Sequence, residues 1–232
     1  MRRDANALMV ERVAAALGPL REQMVFLGGC ATGFLVTDAA AIAVRATRDV
    51  DLIVEATSRT AYHRLEGRLS RLGFEHDASE GAPICRWTLD DLVVDVMPTD
   101  SFLLGFTNRW YPEAIRSSFK LTLATGLEIS LVSPPCFLAT KLEAFHGRGH
   151  GDFAASHDIE DLVCVVDGRV EIVEDVRASD EALQAYFRDQ LERLLGDDRF
   201  LSALPGHLPS DSASQNRLPL LRRRLAAIAG TE

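Results

Sequence analysis

The run Thr47-Arg48-Asp49-Val50-Asp51-Leu52-Ile53-Val54 sets two carboxylates two positions apart at the mouth of a β-prone, apolar segment. Side chains alternate along a strand, so Asp49 and Asp51 project to one face while Val50, Leu52 and Val54 fill the other. Two carboxylates on one face repel each other unless a cation lies between them, and a hard divalent metal is the natural occupant. A third acid, Asp95, sits inside Leu92-Val93-Val94-Asp95-Val96-Met97, where an unpaired charge is costly. If its strand neighbours that of Asp49 and Asp51, the three converge. Such a triad can hold one or two magnesium ions, with manganese as the alternative, that bridge triphosphate oxygens and activate an attacking hydroxyl. Asp95 would then bind an ion or accept the hydroxyl's proton. Upstream, Gly28-Gly29 offers backbone amides without side-chain bulk, as a phosphate-cradling turn requires. Plainer readings stand beside these: Asp49 and Asp51 as a strand-end turn paired with Arg45 or Arg48, and Asp95 as a buried, salt-bridged acid.

Periodicity supplies the elements that must position these residues. Apolar residues at helical spacing predict a helix over 5–17, and the short run 24–27 predicts a strand that stops at the glycine pair. From Cys30 to about Ala40, small and apolar residues predict a helix whose first amides point back at that turn. A strand is expected over 50–55, and a helix over 58–72 with Gly73 as its stop. Two hairpins follow, 84–89 with 92–97 around Asp90-Asp91, and 119–123 with 127–131 around Thr125-Gly126. After Ser133-Pro134-Pro135 the pattern turns helical, over 136–145, 153–166, 170–176, 181–195 and 218–228, with a surface loop at 207–216. The expected fold class is α/β: a small mixed sheet with flanking helices, then a helical C-terminal region.

The order of strand, Gly-Gly, helix, Asp-x-Asp strand and a later strand with one Asp resembles the polymerase-beta-like nucleotidyltransferase superfamily. Gly28-Gly29-Cys30-Ala31-Thr32, followed by Arg45-x-Thr47-x-Asp49-x-Asp51-Leu52, looks like its AbiEii-type toxin branch. Lys141-Leu142-Glu143-Ala144-Phe145-His146-Gly147-Arg148, with the later Asp158-Ile159-Glu160-Asp161-Leu162, is similar to that branch's Lys-x-x-Ala-x-x-x-Arg and Asp-x-x-Asp-Leu segments. The resemblance implies a nucleotidyltransferase core at 1–132 and a helical region at 133–232 that completes a nucleotide cleft. It implies metal at Asp49 and Asp51, a triphosphate along Gly28 and Gly29, and Lys141 on the nucleotide phosphates as a catalytic group. Arg48 and Arg148 are assigned to the phosphates as well, and Asp158 or Asp161 closes the site. By the same resemblance the acceptor is an RNA end such as tRNA, and an antitoxin protein is the partner. Two departures stand out: Gly-Gly replaces Gly-Ser, and a glycine-rich stretch at 147–151 lengthens the gap before Asp158.

The net charge of −9 over 232 residues makes a general duplex-DNA coat improbable and would suit a cationic small-molecule acceptor, such as an aminoglycoside hydroxyl. A non-catalytic nucleotide-sensing protein of the same fold is the third reading. Four scattered cysteines without a Cys-x-x-Cys pair, and no membrane-length apolar run, predict a reduced cytoplasmic protein that does not engage a membrane. His146, His150, Asp152 and His157 have metal-binding residue types, but the interleaved glycines argue for a flexible loop instead, with Arg148 available to phosphate. Arg217, Arg222, Arg223 and Arg224 read as the solvated face of the last helix, with an RNA-backbone contact as the alternative.

Overall fold

The computed structural model describes residues 5–41, 43–56, 58–100, 107–149 and 151–231; Arg2, Arg3 and His150 lie outside them. The chain divides into two compact units, Met1–Gly33 with Ala46–Ser133, and Phe34–Arg45 with Pro134–Glu232.

The first unit is built on a seven-stranded mixed sheet. Its strands are β1 (Met24–Leu27), β2 (Asp49–Val54), β3 (Glu75–His76), β4 (Arg86–Leu89), β5 (Leu92–Pro98), β6 (Phe119–Thr122) and β7 (Glu128–Leu131). The spatial order is β3-β4-β5-β2-β1-β7-β6, with β2–β5 and β1–β7 parallel and the other pairs antiparallel. On β2 the alternation holds, with Val50 and Leu52 fully buried and both aspartates half-buried. The β4–β5 turn is the expected two-residue one, and Asp90 adopts φ 54°, a left-handed conformation that aspartate tolerates. Helix α1 (Ala5–Leu17) buries Val10, Val13, Ala14 and Leu17. A short helix, α2 (Thr32–Leu35), follows the glycine turn. Helix α3 (Arg59–Arg71) starts at Ser58, whose hydroxyl accepts the Ala61 amide at 3.1 Å. It is tied to β5 where the Tyr62 hydroxyl donates to the Val96 carbonyl at 2.9 Å. Helix α4 (Tyr111–Arg116) precedes the second hairpin.

The second unit is helical: α5 (Pro134–Arg148), α6 (His157–Gly168), α7 (Ile172–Arg177), α8 (Glu181–Leu195), α9 (Asp198–Ala203), α10 (Ser212–Gln215) and α11 (Leu218–Ala229). Pro134 and Pro135 open α5, where a missing amide hydrogen costs nothing. Phe137, Leu142, Ile159, Val163, Phe187 and Leu225 form its fully buried core.

Four expectations need correction. The helix anticipated from Cys30 to Ala40 is a 3-10 turn, Gly29–Ala31, then only Thr32–Leu35. Beyond it the amides of Thr37 and Asp38 donate to the Gly168 carbonyl at 3.0 and 2.8 Å, so they cannot make helical bonds. The glycine-rich loop begins later than expected: α5 runs through Gly147 to Arg148, and the Gly149 amide donates to the Phe145 carbonyl at 2.7 Å. The 207–216 loop contains α10, started by the Asp211 carboxylate, which accepts the amides of Ala213 and Ser214. The arginine cluster is divided: Arg222 and Arg223 are exposed, as a solvated helix face requires, while Arg217 and Arg224 turn inward. Arg217 bridges fully buried Asp167 (2.8 Å) and Asp38 (2.7 Å), and Arg224 donates to the Val166 carbonyl (3.0 Å) at the end of α6.

No helix among the described residues is long and apolar enough to cross a membrane.

Candidate active site

Parallel pairing of β2 with β5 sets Asp51 opposite Asp95, and Asp49 opposite Val93. Directly paired residues point to the same face, so the three acids share it. Each offers a carboxylate oxygen within 4.8 Å of the others, and theirs is the only group of three or more His, Cys, Asp or Glu placed for a metal among the described residues.

Antiparallel pairing of β1 with β2 puts Leu27 opposite Asp51 and delivers the glycine turn onto that acid. Gly28 has φ 72° and ψ −164°, a conformation restricted to glycine. A Cβ there would lie 1.7 Å from the Asp51 carboxylate oxygen Oδ2 and 2.6 Å from its Cγ. Conformation and space therefore both demand glycine. Gly29 is buried in the turn that follows, while Arg48 precedes β2 and is exposed.

Gly28→Ala is accordingly expected to displace Asp51. The strain is of order 1–3 kcal/mol, and misplacement of about 1 Å at a reacting centre costs ~100-fold in activity. Steady-state kinetics on this variant and on Gly147→Ala, whose added methyl meets open space on α5, checks the point. Equal activity in the two would refute it.

One residue of this site escaped the sequence reading. Arg86 lies opposite Asp95 in the β4–β5 register and forks onto it, Nε to Oδ1 at 2.9 Å and Nη2 to Oδ2 at 2.8 Å. This fork raises the Arg86 pKa against the opposing effect of burial. Asp95 is thus both the salt-bridged acid and a member of the triad, because an ionised carboxylate that accepts one bond on each oxygen keeps a further lone pair on each. With Arg86 counted, the cluster keeps a surplus of two negative charges, which a single divalent cation balances. All-oxygen donors suit a hard ion such as magnesium or manganese. The neighbouring Cys85 thiol is pushed up to about 12, by burial first and then by the charge of Asp95, so it is no nucleophile here.

A second charged group lies wholly within the helical unit. Lys141, on α5, is buried, and its Nζ lies 2.6 Å from Asp161 and 3.4 Å from Asp158, one turn apart on α6. Both acids therefore meet the lysine. Each also holds an arginine. Arg45 forks onto Asp161 at 2.9 and 2.9 Å, and Arg148 onto Asp158 at 3.0 and 3.0 Å. Burial works to raise the Asp158 pKa, but the Arg148 fork and the Lys141 charge outweigh it and leave the carboxyl below its ordinary value. The Arg45 fork was missed because its partner lies 116 positions away. His146 and His157 enter no metal-sized cluster among the described residues.

A model of the family described as "Nucleotidyl transferase AbiEii toxin, Type IV TA system" matches residues 12–229, nearly the whole chain and both of its units. Among solved structures the chain is similar to the antibiotic-resistance factor ANT(2'')-Ia. That match has 17% sequence identity and a TM-score of 0.48, and covers 82% of this chain and 95% of that one. No curated protein matches.

Proposed function

The chain belongs to the AbiEii nucleotidyltransferase toxin family, and we propose that it transfers a nucleoside monophosphate from a nucleoside triphosphate to the hydroxyl of an RNA end, such as tRNA, with magnesium bound by Asp49, Asp51 and Asp95. The observation that carries this reading is the meeting of three carboxylates from two paired strands beside a glycine that no other residue can replace. Bound magnesium would offset the charge of the triphosphate and of the attacking and leaving oxygens. Asp49 and Asp51 would supply ligands from one strand, and Asp95, oriented by Arg86, would supply one from the next. The turn at Gly28 and Gly29 admits phosphate close to the backbone.

The family pattern assigns Lys141 to the nucleotide phosphates. Its ammonium already faces two carboxylates, so a phosphate would share or compete for it. Arg148, with an exposed side chain, and Arg48 are the further cations given to phosphate. Membership also points to a type IV toxin–antitoxin setting, and an antitoxin for this chain is part of the proposal.

The test is incubation with each α-labelled nucleoside triphosphate and magnesium, separately with total tRNA and with an aminoglycoside panel. Label entering RNA, and lost on chelation of the metal, is the expected result. Label on an aminoglycoside alone would transfer the reading to a small-molecule acceptor, and label on neither would overturn the acceptor assignment.

A further inference from the structure

A cavity of about 540 Å³ lies within the helical unit, bounded by Arg45, the first turns of α6 and the segment 206–209. This is the size of a small-molecule site. Its polar lining consists of Arg45, Ser156, His157, Glu160, Asp161 and His207. Asp161 is occupied by Lys141 and Arg45. Glu160 approaches His157 Nδ1 through Oε2 at 3.0 Å and has Arg45 Nε 3.7 Å from the same oxygen. Its Oε1 has no partner among the described residues. The His207 Nε2–H donates to the Phe153 carbonyl at 2.7 Å, since a carbonyl can only accept. In the neutral rings this leaves Nδ1 of His207 and Nε2 of His157 as acceptors. The groups left over are thus three acceptors, Glu160 Oε1 and the two ring nitrogens, and one donor, the Ser156 hydroxyl, whose oxygen already accepts the Ile159 amide.

The charges in and behind the lining cancel: Arg45 and Lys141 balance Asp161 and Glu160. A polycation would find no net negative charge, and a phosphate would meet the open Glu160 carboxylate. What fits an acceptor-rich, charge-balanced cavity with walls such as Ala155 and Leu208 is a flat, neutral ring that carries amine donors. Adenine, cytosine and guanine have an exocyclic amino group. Uracil presents its one ring N–H between two carbonyls, which oppose a carboxylate. We propose that this cavity binds a nucleobase bearing an exocyclic amino group, with Glu160 accepting from that group. The base belongs to the incoming triphosphate or to the terminal residue of an RNA acceptor. This deepens the nucleotidyltransferase reading and rests on it for the choice of source.

The experiment uses the full chain, wild type and Glu160→Leu. Binding of adenosine, cytidine, guanosine and uridine is measured by ligand-observed NMR. Free nucleosides isolate the base from the phosphates, and thermal melts confirm that the variant is folded. At least one amino-bearing nucleoside should bind about tenfold or more tightly than uridine, as expected for hydrogen bonds to a charged acceptor, and Glu160→Leu should abolish the difference. Wild-type transfer is then compared across the four triphosphates and across RNAs that differ only in the terminal base. Discrimination in the first series assigns the cavity to the donor, and in the second to the acceptor. Uridine binding as tightly as the others, no nucleoside binding, discrimination that persists in Glu160→Leu, or spermidine binding in their place would each overturn the proposal. Label transfer by the wild-type enzyme tests the underlying reaction separately, so the two failures are distinguishable.

Discussion

Asp51→Asn is expected to lower transfer activity at least ~1,000-fold, equivalent to ~4 kcal/mol of transition-state stabilisation, while leaving the thermal midpoint unchanged or raised. Asp51 lies at the centre of the acidic cluster: it is register-paired with Asp95, within ligand reach of Asp49, and packed against Gly28. It shares its face with Asp49 and with Asp95, which the Arg86 guanidinium holds. Two like charges about 5 Å apart repel by about 1–3 kcal/mol in a partly exposed protein site, so removing one relieves strain in the fold. On the proposed reading the same substitution would also remove a hard metal ligand that an amide oxygen replaces poorly. A purely structural acid behaves in the opposite way, since its loss costs stability and has little effect on chemistry. Initial rates with labelled triphosphate, manganese stoichiometry by electron paramagnetic resonance and calorimetric melting together separate the cases. Activity within tenfold of wild type, or a clear loss of stability with metal binding intact, would return Asp51 to a strand-end ion pair.

The acids were legible in the sequence because strand alternation is local: from Asp49-Val50-Asp51 the shared face follows without knowledge of any partner strand. That Asp95 joins them depends on β2 lying beside β5, which the sequence could state only as a condition. Arg86 was in principle within reach. A two-residue turn at Asp90-Asp91 places Leu89 opposite Leu92, and counting outward puts Arg86 opposite Asp95. The glycine pair was visible too, but the reason Gly28 cannot be anything else is its approach to Asp51, which the β1–β2 register creates.

Elements with their own apolar rhythm, α1, α3, α8 and the two hairpins, lie close to where periodicity put them. The failures share a cause. Residues 36–40 have helix-compatible side chains, yet their conformation is set by a carbonyl at Gly168, and the Arg217 bridge to Asp38 spans 179 positions. Helix α10 has no buried residue and hence no rhythm to detect, although Asp211-Ser212-Ala213-Ser214 is a recognisable helix start. At α5 the glycines suggested a break, but Gly147 adds only a modest propensity cost to a helix whose opposite face is anchored by Leu138, Leu142 and Phe145.

Asp161→Asn carries the largest expected loss of stability, about 3–5 kcal/mol, the cost of leaving a buried charge uncompensated. Asp161 is 1% exposed, and both Lys141, at 2.6 Å, and the Arg45 fork converge on it. Asparagine preserves the shape but replaces one acceptor with an N–H donor facing two cations, which keeps the desolvation penalty and removes what offset it. For a chain of this size the calorimetric midpoint of the helical unit should fall by roughly 10 °C. Adding Lys141→Met should restore part of that loss, because it withdraws a buried ammonium that has lost its shorter carboxylate contact and keeps Asp158 at 3.4 Å, so the double variant should be less destabilised than the two single effects combined. Asp158 gives the same network a pH signature. Its folded pKa lies below the ordinary value, so its stabilisation is present above the unfolded pKa of about 3.9 and fades as the pH falls through the folded value. Asp158→Asn should therefore cost stability at neutral pH and flatten the acid limb of the stability curve. A neutral-pH loss below about 1 kcal/mol for Asp161→Asn, the scale of an exposed ion pair, would show that the network does not hold Lys141 in place.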